Sequence, residues 1–515
     1  MIERVEIHHG AYYDSLSLMV LSRDAAAVDG VVDAAVLAGT PLNLEVLVRQ
    51  GFRLPPDQPT SSDIVVAIRA QDERAFDAVD QLIRRWLTGK REEHLDAPAK
   101  DSARNVRTLT RRNPEINLLM VSVPGRHATY EVAAGLEAGV HVFCFSSGME
   151  ISEERTLKAL ALEKGLLLLG PDCGTIILDG IGIGFANAVR TGPVGLVGAS
   201  GTGMQEVSCL LDAIGIGISQ AIGVGGRDLS ADVGGLMTHR ALDLLIEDPE
   251  TGSIVVLSKP PDPSVADGLV AHAGDSPKPI VLGFLGSAGS APQGEGSEFV
   301  QIVHSLEEAA ACAAALHGMT LPAPQPAPRE VTPGFVRGLF CGGSLCYEAM
   351  GIAVEALGPV WSNTPLRPEW GLPAIGSAIG HTMLDFGDEV LTDGRPHPMI
   401  DPSLRNERAI REALDPSVGV LLLDVVLGYG AHPDPAGELA PIIEEALGVR
   451  GGLLSVVVAV CGTEADPQDL EHQCRLLESA GAFVTRRSAD AARFAVAASG
   501  AAMWPAVGAD PEAIA

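Results

Sequence analysis

Two short small-residue loops constrain this chain more than any other feature. The first is Gly198-Ala-Ser-Gly-Thr-Gly-Met-Gln-Glu206 and the second, about one domain later, is Cys341-Gly-Gly-Ser-Leu-Cys-Tyr-Glu348. Apolar strand-like runs precede them (194–197 and 338–340), and helix-like runs follow (207–214 and 349–356). A strand, a small-residue loop and a helix start place several free backbone N–H groups around one point, and the helix dipole adds partial positive charge there. The natural ligand is an anion, most often phosphate. Neither loop is a Walker A loop, because no Gly-Lys-Ser/Thr follows. A single loop of this kind also serves plain packing at a tight turn. Two copies with one Gly/Ser-to-Glu layout favour a phosphate-handling protein. The predicted phosphate ligands are Ser200, Gly201, Thr202 and Gly203 in the first loop, and Gly342, Gly343 and Ser344 in the second.

A chain of 515 residues, 46% of them hydrophobic, has material for roughly three to four domains. Its net charge of −30 supplies no basic field to displace counterions, which argues against nucleic acid as a partner. Anions must then be met by local backbone amides and a few Arg or Lys residues. The eight cysteines contain no Cys-x-x-Cys pair, which reads as a reduced set with no disulfide framework and no metal site. The N-terminal residues show no signal pattern, and no apolar run approaches the ~18 residues that would span a bilayer. The expectation is a soluble, cytoplasmic protein with no membrane partner.

Residues 1–95 read as a small α/β unit: a strand at 15–21, a helix at 24–37, a strand at 63–70 and a helix at 73–87, with a polar linker at 90–100. Between 105 and 190 strands at 118–123, 141–145 and 166–169 alternate with helices at 127–138 and 152–164, the rhythm of a Rossmann-like parallel sheet. A third unit, 191–320, carries apolar strands at 194–198, 218–224, 254–258 and 280–285. A Pro-rich stretch at 322–333 reads as a stiff linker, and a fourth unit, 334–515, again alternates. The third and fourth units look like a duplicated module, which accounts for the repeated loop.

The set Gly170-Pro-Asp-Cys-Gly-Thr175, Gly198-Ala-Ser-Gly-Thr-Gly203, Gly225-Gly-Arg-Asp-Leu-Ser230, Gly394-Arg-Pro-His-Pro-Met-Ile-Asp401 and Asp424-Val-Val-Leu-Gly-Tyr-Gly430 resembles the FdrA family, over nearly the whole chain. FdrA proteins are related to succinyl-CoA synthetase. The resemblance implies a multidomain α/β fold: a small α/β N-terminal domain, a Rossmann-like CoA-binding-like domain at 105–190, and two flavodoxin-like synthetase-type domains. It also implies that the ATP-grasping domain is missing. The synthetase carries phosphate on a histidine in a Gly-His-Ala-Gly loop, whereas the matching segment here is Phe284-Leu-Gly-Ser-Ala-Gly-Ser-Ala-Pro292. The glutamate that orients that histidine is replaced by Lys259 in Ser258-Lys-Pro-Pro-Asp262. The family name is associated with oxamate carbamoyltransferase, in which oxalurate and phosphate give oxamate and carbamoyl phosphate during allantoin breakdown. The resemblance implies a subunit of that complex, acting with two further subunits and needing no cofactor, with CoA left as an option. An NDP-forming acyl-CoA synthetase subunit and a non-catalytic phosphate- or CoA-binding scaffold are the competing readings.

Candidate site residues follow from loop chemistry. Arg395 and His397 stand in a Pro-punctuated loop that fixes their directions, and Arg suits bidentate recognition of phosphate or carboxylate. With Lys259 they form the expected catalytic set, stabilising charge on the carbamoyl oxygen. Asp401 reads as a helix cap before Pro402. Gly226, Arg227, Asp228, Asp424, Gly428 and Gly430 lie at strand ends, where α/β sheets bind ligands, and are the expected substrate contacts. Internal bracing is the alternative for Arg227, Asp228 and Asp424. Arg126 and His127 read as part of a helix start.

Overall fold

The computed structural model describes residues 2–9, 15–26, 28, 30–49, 51–55, 59–60, 63–96, 105–286, 299–325, 331–374, 376–392 and 395–500. They fall into two compact units, Met1–Arg112 with Glu389–Pro396, and Asn113–Asp388 with His397–Ala515. The expected linker at 322–333 lies partly, and the segment from 287 to 292 wholly, outside the described residues.

The first unit holds a three-stranded antiparallel sheet in the order Ile2–His8, Ile64–Ala70, Val31–Ala38. Two sequence-based assignments are reversed here. The run at 15–21 is not a strand but the start of the helix Ser15–Ala26. Its buried residues Leu18, Leu21 and Ala25 fall three and four apart, and a short apolar run does not by itself separate strand from buried helix. Residues 31–38 are a strand rather than a helix, because pairing along Ile64–Ala70 overrides the alanine content. The helix from Glu73 continues through Asp96, into the stretch read as a linker.

The second unit contains three sheets. Leu118–Val121, His141–Cys144 and Leu168–Leu169 form the parallel Rossmann-like one. In the seven-stranded sheet the parallel strands run Val300–Val303, Ile280–Phe284, Ser253–Ser258, Thr191–Gly198, Ile218–Gly223. The hairpin of Thr175–Leu178 and Ile181–Gly184 adds to its edge, antiparallel to Ile218–Gly223. The six-stranded sheet is parallel throughout: Val360–Trp361, His381–Asp385, Phe335–Phe340, Val418–Val426, Ser455–Cys461, Phe483–Thr485. Apart from the two-residue edge strand, its order matches the five parallel strands of its neighbour, the flavodoxin-like 2-1-3-4-5. The duplication seen in the loops is therefore a duplication of the fold. In this order the topological switch lies beside the first strand of each sheet, where Gly198 and Phe340 lead into the two small-residue loops. Strand Val418–Val426 is buried on both faces, which explains its unbroken apolar run.

Candidate functional site

The two loops meet. Each strand ends in an extended cap residue, Ser200 (φ −152°, ψ 95°) and Gly342 (φ −100°, ψ 108°), and helices Gly201–Ala213 and Gly343–Leu357 begin at the next residue. Ser200 Oγ and Ser344 Oγ share a short hydrogen bond, and Ser344 N donates to Thr202 Oγ1 at 3.3 Å. A Cβ on Gly203 would collide with Ser200 Oγ, so the small residue there permits the tight first turn.

The loops differ in what occupies them. Around the second, Asp424 is fully buried and accepts from Cys341 N and Gly342 N, both at 2.7 Å. Arg405, 1% exposed, pairs with the same carboxylate at 3.6 Å. The cavity behind this loop is about 10 Å³, room for about one water. Asp424 is thus the second loop's built-in anion, not a substrate contact, and the amide of Gly342 is already used. At Gly343 a Cβ would run into Asp385 Oδ2, which places another carboxylate against the first turn. The first loop differs: no described residue accepts from the amides of Gly201, Thr202 or Gly203. Beside it the hydroxyl of Thr175, a residue 2% exposed, has no hydrogen-bond partner among the described residues. A Cβ on Gly201 would stand 3.1 Å from that oxygen.

Three further side chains converge on Asp385, at the end of strand His381–Asp385. Asn363 holds its backbone through two hydrogen bonds (2.9 and 3.0 Å), and Gly387 N donates to Oδ1 at 2.9 Å. Lys259 Nζ lies 3.6 Å from Oδ2 and 5.9 Å from the Tyr347 ring centre. Burial raises the Asp385 carboxyl above its ordinary range, and the Lys259 charge pulls it back. His397 reaches the same place: a Cβ on Gly387 would stand 2.8 Å from His397 Nε2 and 3.3 Å from Asp385 Oδ1. His397 Nδ1 accepts from Met399 N at 3.2 Å, which leaves the proton on Nε2. Its ring packs on Phe185, and burial lowers its pKa to about 4. His397 is therefore a neutral donor at physiological pH. A proton NMR titration should find its ring neutral from pH 5.5 to 8; a midpoint near 6.5 would contradict this. Asp385 and Thr175 are not among the sequence-based candidates, although Asp385 carries one signal, a carboxylate closing an apolar strand at the ligand-binding edge.

The other candidates go elsewhere. Arg227 binds Glu154 Oε2 (3.0 Å) and Met149 O (2.7 Å). Asp228, fully buried, accepts from Lys158 Nζ (2.8 Å), Thr238 N (2.9 Å) and Thr238 Oγ1 (2.7 Å). Both are braces and caps, not substrate contacts, and Gly226 lies on their exposed side near Asp172. Gly428 (φ 112°) and Gly430 (φ 75°) let their loop pack on residues 184–187, where Ala186 and Tyr429 form a bridge, so they serve packing between the duplicated domains. Arg395 belongs, with residues 389–396, to the first unit. Asp401 accepts from Ser403 N at 3.1 Å beside the cap residue Pro402. Arg126 and His127 lie in the first turn of Gly125–Glu137.

The glutamates of the repeated layout bind the two domains together. Glu348 accepts from Leu306 N and Glu307 N (2.8 and 3.1 Å) and from Ser488 Oγ, while Glu206 accepts from Ser488 N at 2.8 Å. Each helix thus caps a helix start in the opposite domain, a reciprocal exchange that follows from the duplication. Burial, reinforced by the nearby Glu348, raises the Glu206 pKa to about 7.

Among the described residues no group of three His, Cys, Asp or Glu is placed to hold a metal ion, and no helix is long and apolar enough to cross a membrane. The model of the CoA-ligase family matches residues 339–498, and that of the CoA-binding domain matches 189–286. A third model, described as AllF, heavy metal-associated domain, matches residues 1–103. The uncharacterized protein YahF of Escherichia coli (strain K12) is 38% identical over 508 residues, covering 95% of this chain and 97% of YahF. The alpha subunit of ADP-forming succinate–CoA ligase from Aquifex aeolicus is 29% identical over 150 residues, 28% of this chain and 48% of that subunit. A solved structure of dinucleotide-forming acetyl-coenzyme A synthetase 1 from Ca. Korarchaeum cryptofilum, in complex with phosphate and ADP, is 17% identical. The match covers 79% of this chain and 86% of that one, with a TM-score of 0.33.

Proposed function

Since this chain belongs to one family with YahF and carries CoA-binding and CoA-ligase domains of the succinyl-CoA-synthetase type, we propose that it is the phosphate-binding subunit of a carbamoyltransferase. The observation that carries this reading is the first loop, where the amides of Gly201, Thr202 and Gly203 and the hydroxyl of Thr175 have no partner among the described residues. These donors hold inorganic phosphate at the start of the Gly201–Ala213 helix. A phosphate oxygen attacks the carbamoyl carbon of oxalurate and the carbon–nitrogen bond to oxamate breaks. The proton brought by monohydrogen phosphate ends on the departing nitrogen, giving carbamoyl phosphate and oxamate. His397 Nε2–H and the Lys259 charge supply stabilisation for the oxygen that gathers negative charge, without a covalent intermediate.

Lys259 stands where the synthetase carries the glutamate that orients its phosphohistidine, and the matching segment Phe284-Leu-Gly-Ser-Ala-Gly-Ser-Ala-Pro292 holds no histidine, which weighs against phosphohistidine chemistry. The matched CoA-ligase models keep one second reading, an NDP-forming acyl-CoA synthetase subunit, in view. The two part in one assay series. Labelled ATP should leave no phosphohistidine on the purified chain, and ATP, CoA and an acid should give no thioester. Together with its partner subunits the chain should support phosphate-dependent cleavage of oxalurate. ATP-dependent thioester formation would replace the proposal with the synthetase reading.

A further inference from the structure

Asp385 has an acceptor to spare. Oδ1 takes the Gly387 amide, but Oδ2 receives no hydrogen bond from any described residue, because Lys259 Nζ at 3.6 Å lies outside hydrogen-bond reach. The residue is 3% exposed and stands against the first turn of the Gly343–Leu357 helix. Through Ser344 that turn touches Ser200 and Thr202 of the first loop. A ligand that brings an N–H or O–H to this oxygen gives it the donor that the described residues do not. Phosphate at neutral pH is a poor occupant of this spot, since two anions would face each other.

We propose that Asp385 is a specificity-determining residue whose Oδ2 accepts a hydrogen bond from the substrate's amide nitrogen, so that the site selects a small anion bearing N–H over its methyl isostere. This rests on the carbamoyl-transfer reading above and adds the residue that reads the nitrogen. A carboxylate suits that task, because it accepts and never donates when ionised. Lys259 balances its charge from the opposite domain without filling the acceptor. Sites built to hydrogen-bond a polar substrate group reject analogues lacking it, because their own buried group is then left unpaired.

Oxamate and pyruvate make the test, being monoanions of similar shape that differ by NH2 against CH3. Their affinities for the full chain are measured calorimetrically with and without saturating phosphate. The wild type should prefer oxamate by about tenfold or more. Asp385→Ala should bring that preference to within about twofold while phosphate still binds and the melting transition persists. Lys259→Met should keep the preference, since the acceptor remains. Equal affinities in the wild type, or a preference that survives Asp385→Ala or vanishes in Lys259→Met, would overturn the assignment. A tenfold preference together with no phosphate binding would instead leave Asp385 as the reader of nitrogen and remove the phosphate-transfer reading.

Discussion

Asp424→Ala is expected to destabilise the second unit by about 3–5 kcal/mol, as removal of one partner from a buried ion pair does. The carboxylate satisfies two buried amides, Cys341 N and Gly342 N, and pairs with Arg405, which is itself 1% exposed. Deleting it leaves both amides without their acceptor and Arg405 without its counter-charge, although Arg405 still donates to Asn406 Oδ1 and to the Asp424 backbone carbonyl. Asp424→Asn keeps one acceptor oxygen for the loop and should recover part of the loss. Urea unfolding followed by circular dichroism reads both variants. If Asp424→Ala stays within about 1 kcal/mol of wild type, this carboxylate is not the built-in anion of the second loop.

Glu206→Gln should stabilise the protein at alkaline pH and leave it unchanged in acid. The Glu206 carboxyl lies near pH 7 in the folded chain against 4.5 for an unburied glutamate. Between those values the native state holds a proton that the unfolded state has released, so wild-type stability falls as pH rises through this window. The full deficit, about 3 kcal/mol from a shift of that size, is reached above pH 7. Glutamine keeps an acceptor for Ser488 N but carries no charge to bury. The gap between variant and wild type should open from about pH 4.5 upward; a pH-independent gap would contradict the buried-carboxyl account.

Much of the second unit is legible in the sequence because its strands are buried on both faces and its helices obey turn and cap chemistry. Runs such as 418–426 have no solvent side to interrupt them, and Asp434-Pro435 opens a helix where Asp434 accepts from Gly437 N at 3.1 Å. The first unit is less legible, since Ser15–Ala26 and Val31–Ala38 each carry a composition that local preference assigns to the other state. Only the pairing of Val31–Ala38 with Ile64–Ala70 decides between them. The site divides the same way. The convergence of the two loops follows from their repeated layout, and Lys259 is found through the departure from the synthetase pattern. That Asp424 fills the second loop depends on contacts between residues more than eighty positions apart, Cys341 and Asp424. Asp385 escapes sequence reasoning for the same reason, because Lys259, Gly343 and His397 surround it from three separate segments. Asp228 shows the reverse error: a strand-end carboxylate looks like a ligand contact until its donors, Lys158 and Thr238, come into view.

On the proposed reading the two loops, alike in sequence, are not alike in use: phosphate is expected at the first, while the Asp424 carboxylate fills the second. Crystals soaked in inorganic phosphate test it by locating the anion. It should lie within hydrogen-bond distance of the amides of Gly201 and Thr202 and of the Thr175 hydroxyl, with Asp424 still on Cys341 and Gly342. An anion found on the second loop in place of the Asp424 carboxylate, or a first loop empty at saturating phosphate, would contradict it.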